Sequence, residues 1–500
     1  MSLHHNIKMT PTISIALLML LTPWAVALKP VALKPVAQKP AHKAQPHSAI
    51  AAQATDKNAQ KDKRERDPAI AQIIKDVSPQ RIQQTIEKLV SFGTRHTLSV
   101  NNPGAATSGQ GIVAARNWIK SEFERYSSEC NGCLEVKTDT FTEQPKNRIP
   151  VPTELQNVYA ILRGTDPQQA KRVYLVTGHY DSRNSDTSNS TNAAPGANDD
   201  GSGTAVSLEC ARVLSKHKFP ATIIFLTVAG EEQGLNGSAH FAKMAKAEGW
   251  QLEGVLNNDI VGGNKTPGDT LQNSNWVRVF SEGLPSAATD AEVTRIRNLG
   301  GENDSSSREL ARYIHDVSET YSFGAFTPKL IFRRDRYLRG GDHTAFNQQG
   351  FAAVRFTEYR EDYHHQHQNV RTDNGIEYGD LPKFVDFDYV ANVARLNGAT
   401  LAALASSPAP PAEVRLLTKQ LENDSKLEWK PASGASAYEV LWRKTTDAEF
   451  SDDNATRTTE TKFDSQESKD NVIFGVRSID AKGHRSLVVI PEPERAPAPQ

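Results

Sequence analysis

The chain has 500 residues, of which 38% are hydrophobic and 23% charged. That is too long for one ordinary domain, so two or three folded units with a sizeable core are expected. A formal net charge of -1 without a dense Lys/Arg cluster excludes the electrostatic footprint of a nucleic-acid partner.

Lys8 precedes an apolar run, Ile13 to Leu21, that continues to Ala27, and Ala25-Val26-Ala27 has the small-x-small form cut by signal peptidase. A secretory signal over residues 1–27 is therefore predicted, with an uncleaved anchor as the alternative. The expected location is exported, periplasmic or secreted, with no stable membrane span after cleavage. Residues 28–66 repeat a Lys-Pro-Val-Ala theme and then turn polar, the composition of an extended, disordered linker. Folded structure is expected from Asp67, which can cap a helix with Pro68 at its first position and Ile70, Ile73, Ile74 and Val77 at helical spacing. Further helices are predicted around Pro79 to Val90 and Gly111 to Tyr126. Cys130 and Cys133 flank a turn, and no second pair exists to complete a zinc knuckle. A local disulfide is favoured, with a redox pair as the alternative. Cys210 reads as a buried hydrophobe.

The middle of the chain alternates. Strands are predicted at Val173 to Thr177, Ala221 to Ala229, Gly254 to Ile260 and Ala352 to Phe356; helices at Thr204 to Leu214, Ser238 to Ala247 and Phe384 to Ala405. Such alternation predicts an α/β fold, a mostly parallel central sheet with helices on both faces in three layers. After Ser406-Ser-Pro-Ala-Pro-Pro411 the composition changes to short alternating segments. Trp429, Tyr438, Trp442 and Val476 fall where a small all-β sandwich over residues 412–490 would bury them. Those segments resemble a fibronectin type III domain. Pro491 to Gln500 is expected to be disordered.

Candidate chemistry lies at the C-terminal ends of the apolar strands, where open α/β sheets place their sites. His179 ends one strand, and Asp181 is spaced to hold its second nitrogen directly or through the backbone. Asp199-Asp200 opens a helix in a Gly-rich loop; two adjacent acids repel phosphate and suit a divalent cation. Glu231-Glu232 ends the next strand, so one carboxylate can bind metal while the other moves protons. Asp259 follows a further strand, and His364, His365 and His367 crowd the loop before the closing helix. Taken in order, His, Asp, Glu, Asp and His form the N/O set that zinc accepts, enough for a two-metal site with ions roughly 3.5–4 Å apart.

These residues resemble the exported zinc peptidases that include the bacterial leucyl aminopeptidases and plasma glutamate carboxypeptidase. The resemblance spans about residues 70 to 405 and includes Ser91-Phe-Gly-Thr-Arg95-His96, Asn157-Val-Tyr-Ala160 and Gly341-Asp-His-Thr-Ala-Phe346. It implies a three-layer zinc-peptidase domain carrying two zinc ions. Asp199 would bridge them, His179 and Asp259 would complete one site, and Glu232 with His365 the other; His367 remains an alternative. It also implies Glu231 as general acid/base, Asp181 as orienter of His179, and a cis peptide at Asp199–Asp200. Asp342, His343 and Arg339 would line the substrate cleft, and Tyr321 or Tyr337 would polarise the substrate carbonyl. Family members usually carry Asp-Thr four and five residues after the late histidine; here Asn369-Val370 follows His365, which leaves that support unassigned. The expected activity is release of N-terminal residues from peptide substrates. Carboxypeptidase or dipeptidase action, a glutaminyl cyclase and a binding-only relative are the alternatives. Contact with surfaces or polymers through the C-terminal domain is a further expectation.

Overall fold

The computed structural model describes residues 66–494, apart from 103, 105, 106, 264, 265, 267 and 322. The predicted signal, nearly all of the predicted linker, and residues 495–500 of the tail lie outside the described residues.

An eight-stranded sheet organises the larger part. Its strands are β1 (Leu134–Glu143), β2 (Thr153–Leu162), β3 (Arg172–His179), β4 (Thr222–Val228), β5 (Gln251–Asn258), β6 (Trp276–Ser281), β7 (Thr327–Ile331) and β8 (Ala353–Glu358), in the order β1-β2-β4-β3-β5-β8-β6-β7. The centre, β4-β3-β5-β8, is parallel, while β1, β2 and the β6–β8 pairing are antiparallel. β3 and β4 are buried along their whole length, as strands covered on both faces must be. Their side chains alternate between two cores. Tyr174, Val176, Ile223 and Phe225 join the helices at Pro68–Asp76, Pro79–Val90, Gly111–Glu129, Gly201–Leu214, Ser306–Tyr321 and Phe387–Ser406. Leu175, Ile224, Leu226 and Val228 face the helices at Asn236–Ala247 and His343–Gln348. The period of two is what makes three layers from one sheet.

The predicted α/β alternation is present, with Asp67 capping the first helix through Ala69 N and Ser78 the second through Arg81 N. Cys130 and Cys133 are disulfide-bonded and Cys210 is buried. The sheet gains β1, β2, β6 and β7, which the sequence reading did not place. β1 and β6 carry interspersed charged residues along partly exposed faces, so no continuous apolar run marks them.

Beyond Ser406 lie two small sheets. β11 (Ala412–Leu416), β12 (Ser425–Lys430), β15 (Lys462–Ser465) and β17 (Glu492–Pro493) form one; β13 (Ala437–Lys444), β14 (Ala455–Thr458) and β16 (Val472–Ile479) form the other. Val414, Leu427, Trp429, Tyr438, Val440, Val472, Phe474 and Val476 pack between them. Trp442, expected in that core, is only partly buried against it. The tail corrects a further expectation. Glu492–Pro493 pairs with Arg415 and Leu416, and Glu492 binds Arg415 at 2.7 Å and Arg295 at 3.1 Å, so order extends beyond Pro491.

Candidate metal centre

Three strand ends and one helix-opening loop converge. His179 closes β3, Glu231 and Glu232 follow β4, Asp259 follows β5, and Asp199 sits just ahead of the Gly201–Leu214 helix. That helix approaches β3 so closely that a Cβ on Gly178 would lie 2.3 Å from the Gly203 carbonyl carbon. Glycine at both positions lets Asp199 reach the strand end. The Asp199–Asp200 peptide is cis, as the resemblance implied. Asp200 is not directed at the clusters: it accepts hydrogen bonds from His179 N at 3.0 Å, Gly203 N at 2.9 Å and Ile260 N at 3.3 Å, joining β3, the helix cap and the end of β5.

The donor atoms form two groups, His179–Glu231–Asp259 and Asp199–Glu232–His367, each with its ligand atoms within 4.8 Å of one another. Asp199 spans both. Its Oδ1 is 3.2 Å from His179 Nε2 and its Oδ2 is 2.8 Å from His367 Nε2. His367 Nε2 is also 2.9 Å from Glu232 Oε1. His179 Nε2 and Glu232 Oε1 are fully buried, yet neither makes a well-aligned hydrogen bond within the protein. Buried polar atoms are otherwise almost always satisfied. Convergent orphaned donors of the His/Asp/Glu type fit a pair of divalent ions such as zinc.

The late histidine corrects the sequence expectation. His365 points away: its ring stacks on Phe384 at 3.6 Å and its Nδ1 is 3.3 Å from Asp362 Oδ2. His367 takes the cluster position because its backbone is left-handed, φ 54°, which turns the ring inward. Leu235 and Ile260, beside Glu232 and Asp259, share that uncommon conformation. Such residues concentrate at functional sites because the surrounding structure must hold them there.

Supporting contacts surround the donors. The Asp181 backbone carbonyl lies 3.2 Å from His179 Nδ1, fixing the ring, while its carboxylate accepts Glu231 N and Glu232 N at 3.2 Å each and Thr97 Oγ1 at 2.9 Å. Asp181 thus positions the first donor histidine and the Glu pair together. Arg183 Nε donates to Glu232 Oε2 at 2.8 Å, and its Nη2 is 2.5 Å from His367 Nδ1. Arg355 Nη2 holds Asp259 Oδ1 at 2.9 Å. Arg95, fully buried, donates to the carbonyls of Tyr180, Pro195 and Gly196, clamping the loop that carries Asp199. Gly196 has φ 50°, and a Cβ there would lie 2.6 Å from Asp199 O and 2.9 Å from Arg95 Nη2. Asp380 accepts Asn198 N at 2.8 Å and Asp199 N at 2.7 Å. None of Arg183, Arg355 and Asp380 was marked by the sequence. Arg95 stood in a quoted motif without a role.

Burial pushes Glu231 well above the usual carboxylate range; Asp259 and Glu232 add repulsion and His179 opposes it. A carboxyl so placed can both take and return a proton. Asp342 and His343 stand at the start of the His343–Gln348 helix, and both Asp342 carboxylate oxygens are buried without a well-aligned hydrogen bond, as are His179 Nε2 and Glu232 Oε1. Both are fully buried, and His343 Nε2 is 2.9 Å from the Arg334 carbonyl. Burial pushes Asp342 up to about 7 and His343 down to about 4. Tyr321 accepts from the Asp67 amide through its hydroxyl, whereas Tyr337 is exposed and accepts from Arg333.

A description of peptidase family M28 matches residues 157–381. A probable zinc metalloprotease of Pyrenophora teres f. teres is 44% identical over 435 residues, 85% of this chain and 87% of its own. The chain belongs to peptidase family M28. A probable zinc metalloprotease of Pyricularia oryzae is 44% identical over 427 residues, 84% of this chain and 83% of its own. Among solved structures, the LapA aminopeptidase of Legionella pneumophila aligns with a TM-score of 0.48 at 20% identity, over 69% of this chain and 76% of that one. The matched M28 span runs from just inside β2 to just past Asp380, so it encloses every donor of both clusters.

Proposed function

We propose that this M28 peptidase is a two-zinc exopeptidase that releases N-terminal residues from peptides. The observation that carries the two-ion reading is the placement of Asp199, one oxygen toward His179 and the other toward His367. The assigned ligands are His179 and Asp259 for one ion, Glu232 and His367 for the other, and Asp199 between them. Two zinc ions held there would supply the Lewis acidity that polarises a scissile carbonyl and activates water. Glu231, raised by burial, takes a proton from the attacking water and delivers it to the departing amine. Asp181 keeps Glu231 and Glu232 in register through their backbone amides. Aminopeptidase action is supported by the resemblance of the site motifs to the leucyl aminopeptidases.

A second reading, dipeptidase or carboxypeptidase action, is favoured by one side chain, Arg339, which lies at the edge of the centre. The names of the fungal relatives support zinc as the metal. An exported location, periplasmic or secreted, is carried forward. The residues beyond Ser406 are read as a fibronectin type III-like module with a role in surface or polymer contact. Among the described residues no helix is long and apolar enough to cross a membrane.

The deciding assay uses free and N-blocked aminoacyl nitroanilides, with chelator and with added zinc. Zinc-dependent cleavage of only the free-amine substrates is expected. Cleavage of blocked peptides from the carboxyl end would move the reading to a carboxypeptidase, and no cleavage by zinc-loaded protein would sink both.

A further inference from the structure

Beside the His179–Glu231–Asp259 cluster lies a group of arginines with too few acids. Glu361, nearly buried, receives Arg278 at 2.8 Å, Arg336 at 2.7 Å and Arg339 at 3.4 Å. Asp335 receives Arg336 at 3.0 Å and Arg355 at 3.4 Å. The other carboxylate facing Arg355 is Asp259, assigned to the metal centre, and Arg355 also donates to the Gly340 carbonyl at 2.9 Å. Four guanidinium groups therefore share two uncommitted carboxylates, and the excess charge is positive.

Arg339 is the one of the four that can deliver this charge to a ligand. Arg355 is fully buried and the Arg336 and Arg278 side chains are 8% and 18% exposed, whereas Arg339 is 32% exposed. Both of its side-chain contacts are long: Glu361 at 3.4 Å and Gln366 Oε1 at 3.4 Å. Bonds of that length are weak and easily exchanged. The Gln366 amide in turn donates to Asp199 Oδ2 at 3.2 Å. With standard bond lengths across the amide, Arg339 Nη1 is at most about 9 Å from the bridging carboxylate. That reach corresponds to one to three residues of extended peptide, at about 3.3–3.6 Å each. The preceding residue, Leu338, is fully exposed and left-handed at φ 54°, so the loop turns back at this point.

We propose that Arg339 is a specificity-determining residue that receives a substrate carboxylate carried within a residue or two of the scissile bond. The proposal rests on the exopeptidase reading of the adjoining centre. Guanidinium pairs carboxylate through two parallel N–H donors, and a partly desolvated site strengthens the pair. Two sources share this chemistry, the free C-terminus of a dipeptide or tripeptide and the side chain of Asp or Glu.

The test uses the zinc-loaded full chain and matched peptide pairs: free acid against C-terminal amide, and Asp or Glu against Asn or Gln at the first and second positions. The native protein is expected to favour the carboxylate member through KM. Arg339→Gln is expected to lower the acid-to-neutral ratio of kcat/KM by about ten-fold or more, and Arg339→Lys to restore part of it. An effect confined to the free-acid pair assigns the C-terminal carboxylate; one confined to the Asp/Glu pairs assigns the side chain. A ratio unchanged by Arg339→Gln overturns the proposal while leaving the peptidase reading intact. Calorimetric binding of the same pairs separates the two ideas further. Tighter, Arg339-dependent binding of the acid without turnover would uphold Arg339 and sink the peptidase reading. Neither turnover nor preferential binding would sink both.

Discussion

The Asp380 carboxylate accepts the backbone N–H of Asp199 at 2.7 Å and that of Asn198 at 2.8 Å. Asp380 stands just past a small hairpin, β9 (Arg371–Asp373) and β10 (Ile376–Tyr378), that separates it from His367 in the chain. It gives the Asp199 loop an acidic support from far along the chain. Burial raises Asp380 to about 7 in the absence of metal, and the two amides oppose that rise. Asp380→Asn leaves one amide without its acceptor. Zinc affinity and activity are expected to fall roughly 10- to 100-fold, the range for outer supports of metal ligands. Zinc content after dialysis against a graded chelator, measured with turnover, checks this.

Exchanging the two nearby histidines separates ligand from scaffold. His367→Ala is expected to remove one of the zinc ions and to cost more activity than the roughly 10–100-fold typical of a supporting residue. His365→Ala should keep the zinc content and instead lose the stack on Phe384, costing about 1–3 kcal/mol of stability. Metal analysis and thermal unfolding of both variants decide it. The reverse pattern would restore His365 as the ligand.

Arg183 grips Glu232 Oε2 and approaches His367 Nδ1, so it fixes two donors of one cluster. Arg183→Gln is expected to weaken zinc at that cluster by roughly 10- to 100-fold while sparing the His179–Asp259 ion. Competitive titration with a chromogenic chelator should then resolve two unequal sites.

The small sandwich is tied to the larger part through buried charge. Arg443, on β13, pairs with Asp304, and their side chains are 2% and 5% exposed. Arg312 Nε donates to the Ala448 carbonyl at 2.6 Å, and Arg477 meets Asp316 at 3.3 Å. Arg443→Ala leaves the buried Asp304 facing Arg312 at 3.8 Å, too far for a hydrogen bond, and a loss of up to about 3–5 kcal/mol in denaturant unfolding is expected. A change under 1 kcal/mol, on the scale of exposed pairs, would show that the interface is solvated.

His484 joins Asp480 at 2.8 Å and Asp67 at 2.9 Å, linking the sandwich to the first helix cap. Burial works against charge on all three groups. Even so, the paired carboxylates raise His484 above its usual value, and the imidazolium lowers Asp67 and Asp480 below theirs. A raised histidine stabilises fully below its unfolded value, about 6.5, and that stabilisation is lost as pH rises through the folded value. Lowered carboxylates stabilise above about 3.9, and that stabilisation is lost as pH falls through their folded values. The network is therefore strongest between those limits. Stability is expected to decline above pH 6.5 in the native chain and less so in His484→Gln, which unfolding midpoints at pH 5.5 and 8.5 would reveal.

The sequence by itself determined the α/β alternation, because β3, β4 and the Gly201–Leu214 helix are apolar in runs whose length and period admit one reading. It also determined His179, Glu231, Glu232 and Asp259 as candidates, because each ends or closely follows an apolar strand, where side chains of successive strands must converge, and Asp199 because it opens a helix in a Gly-rich acidic loop. Only the tertiary structure decided between His365 and His367, since both are histidine and residue type does not mark which of them takes the left-handed φ. The same holds for Arg183, Arg355 and Asp380. Their partners lie far away in the chain, and charge pairing at long sequence separation leaves no periodic trace. Asp342 and His343 show the converse: a motif kept their identity visible, while their full burial belongs to packing alone.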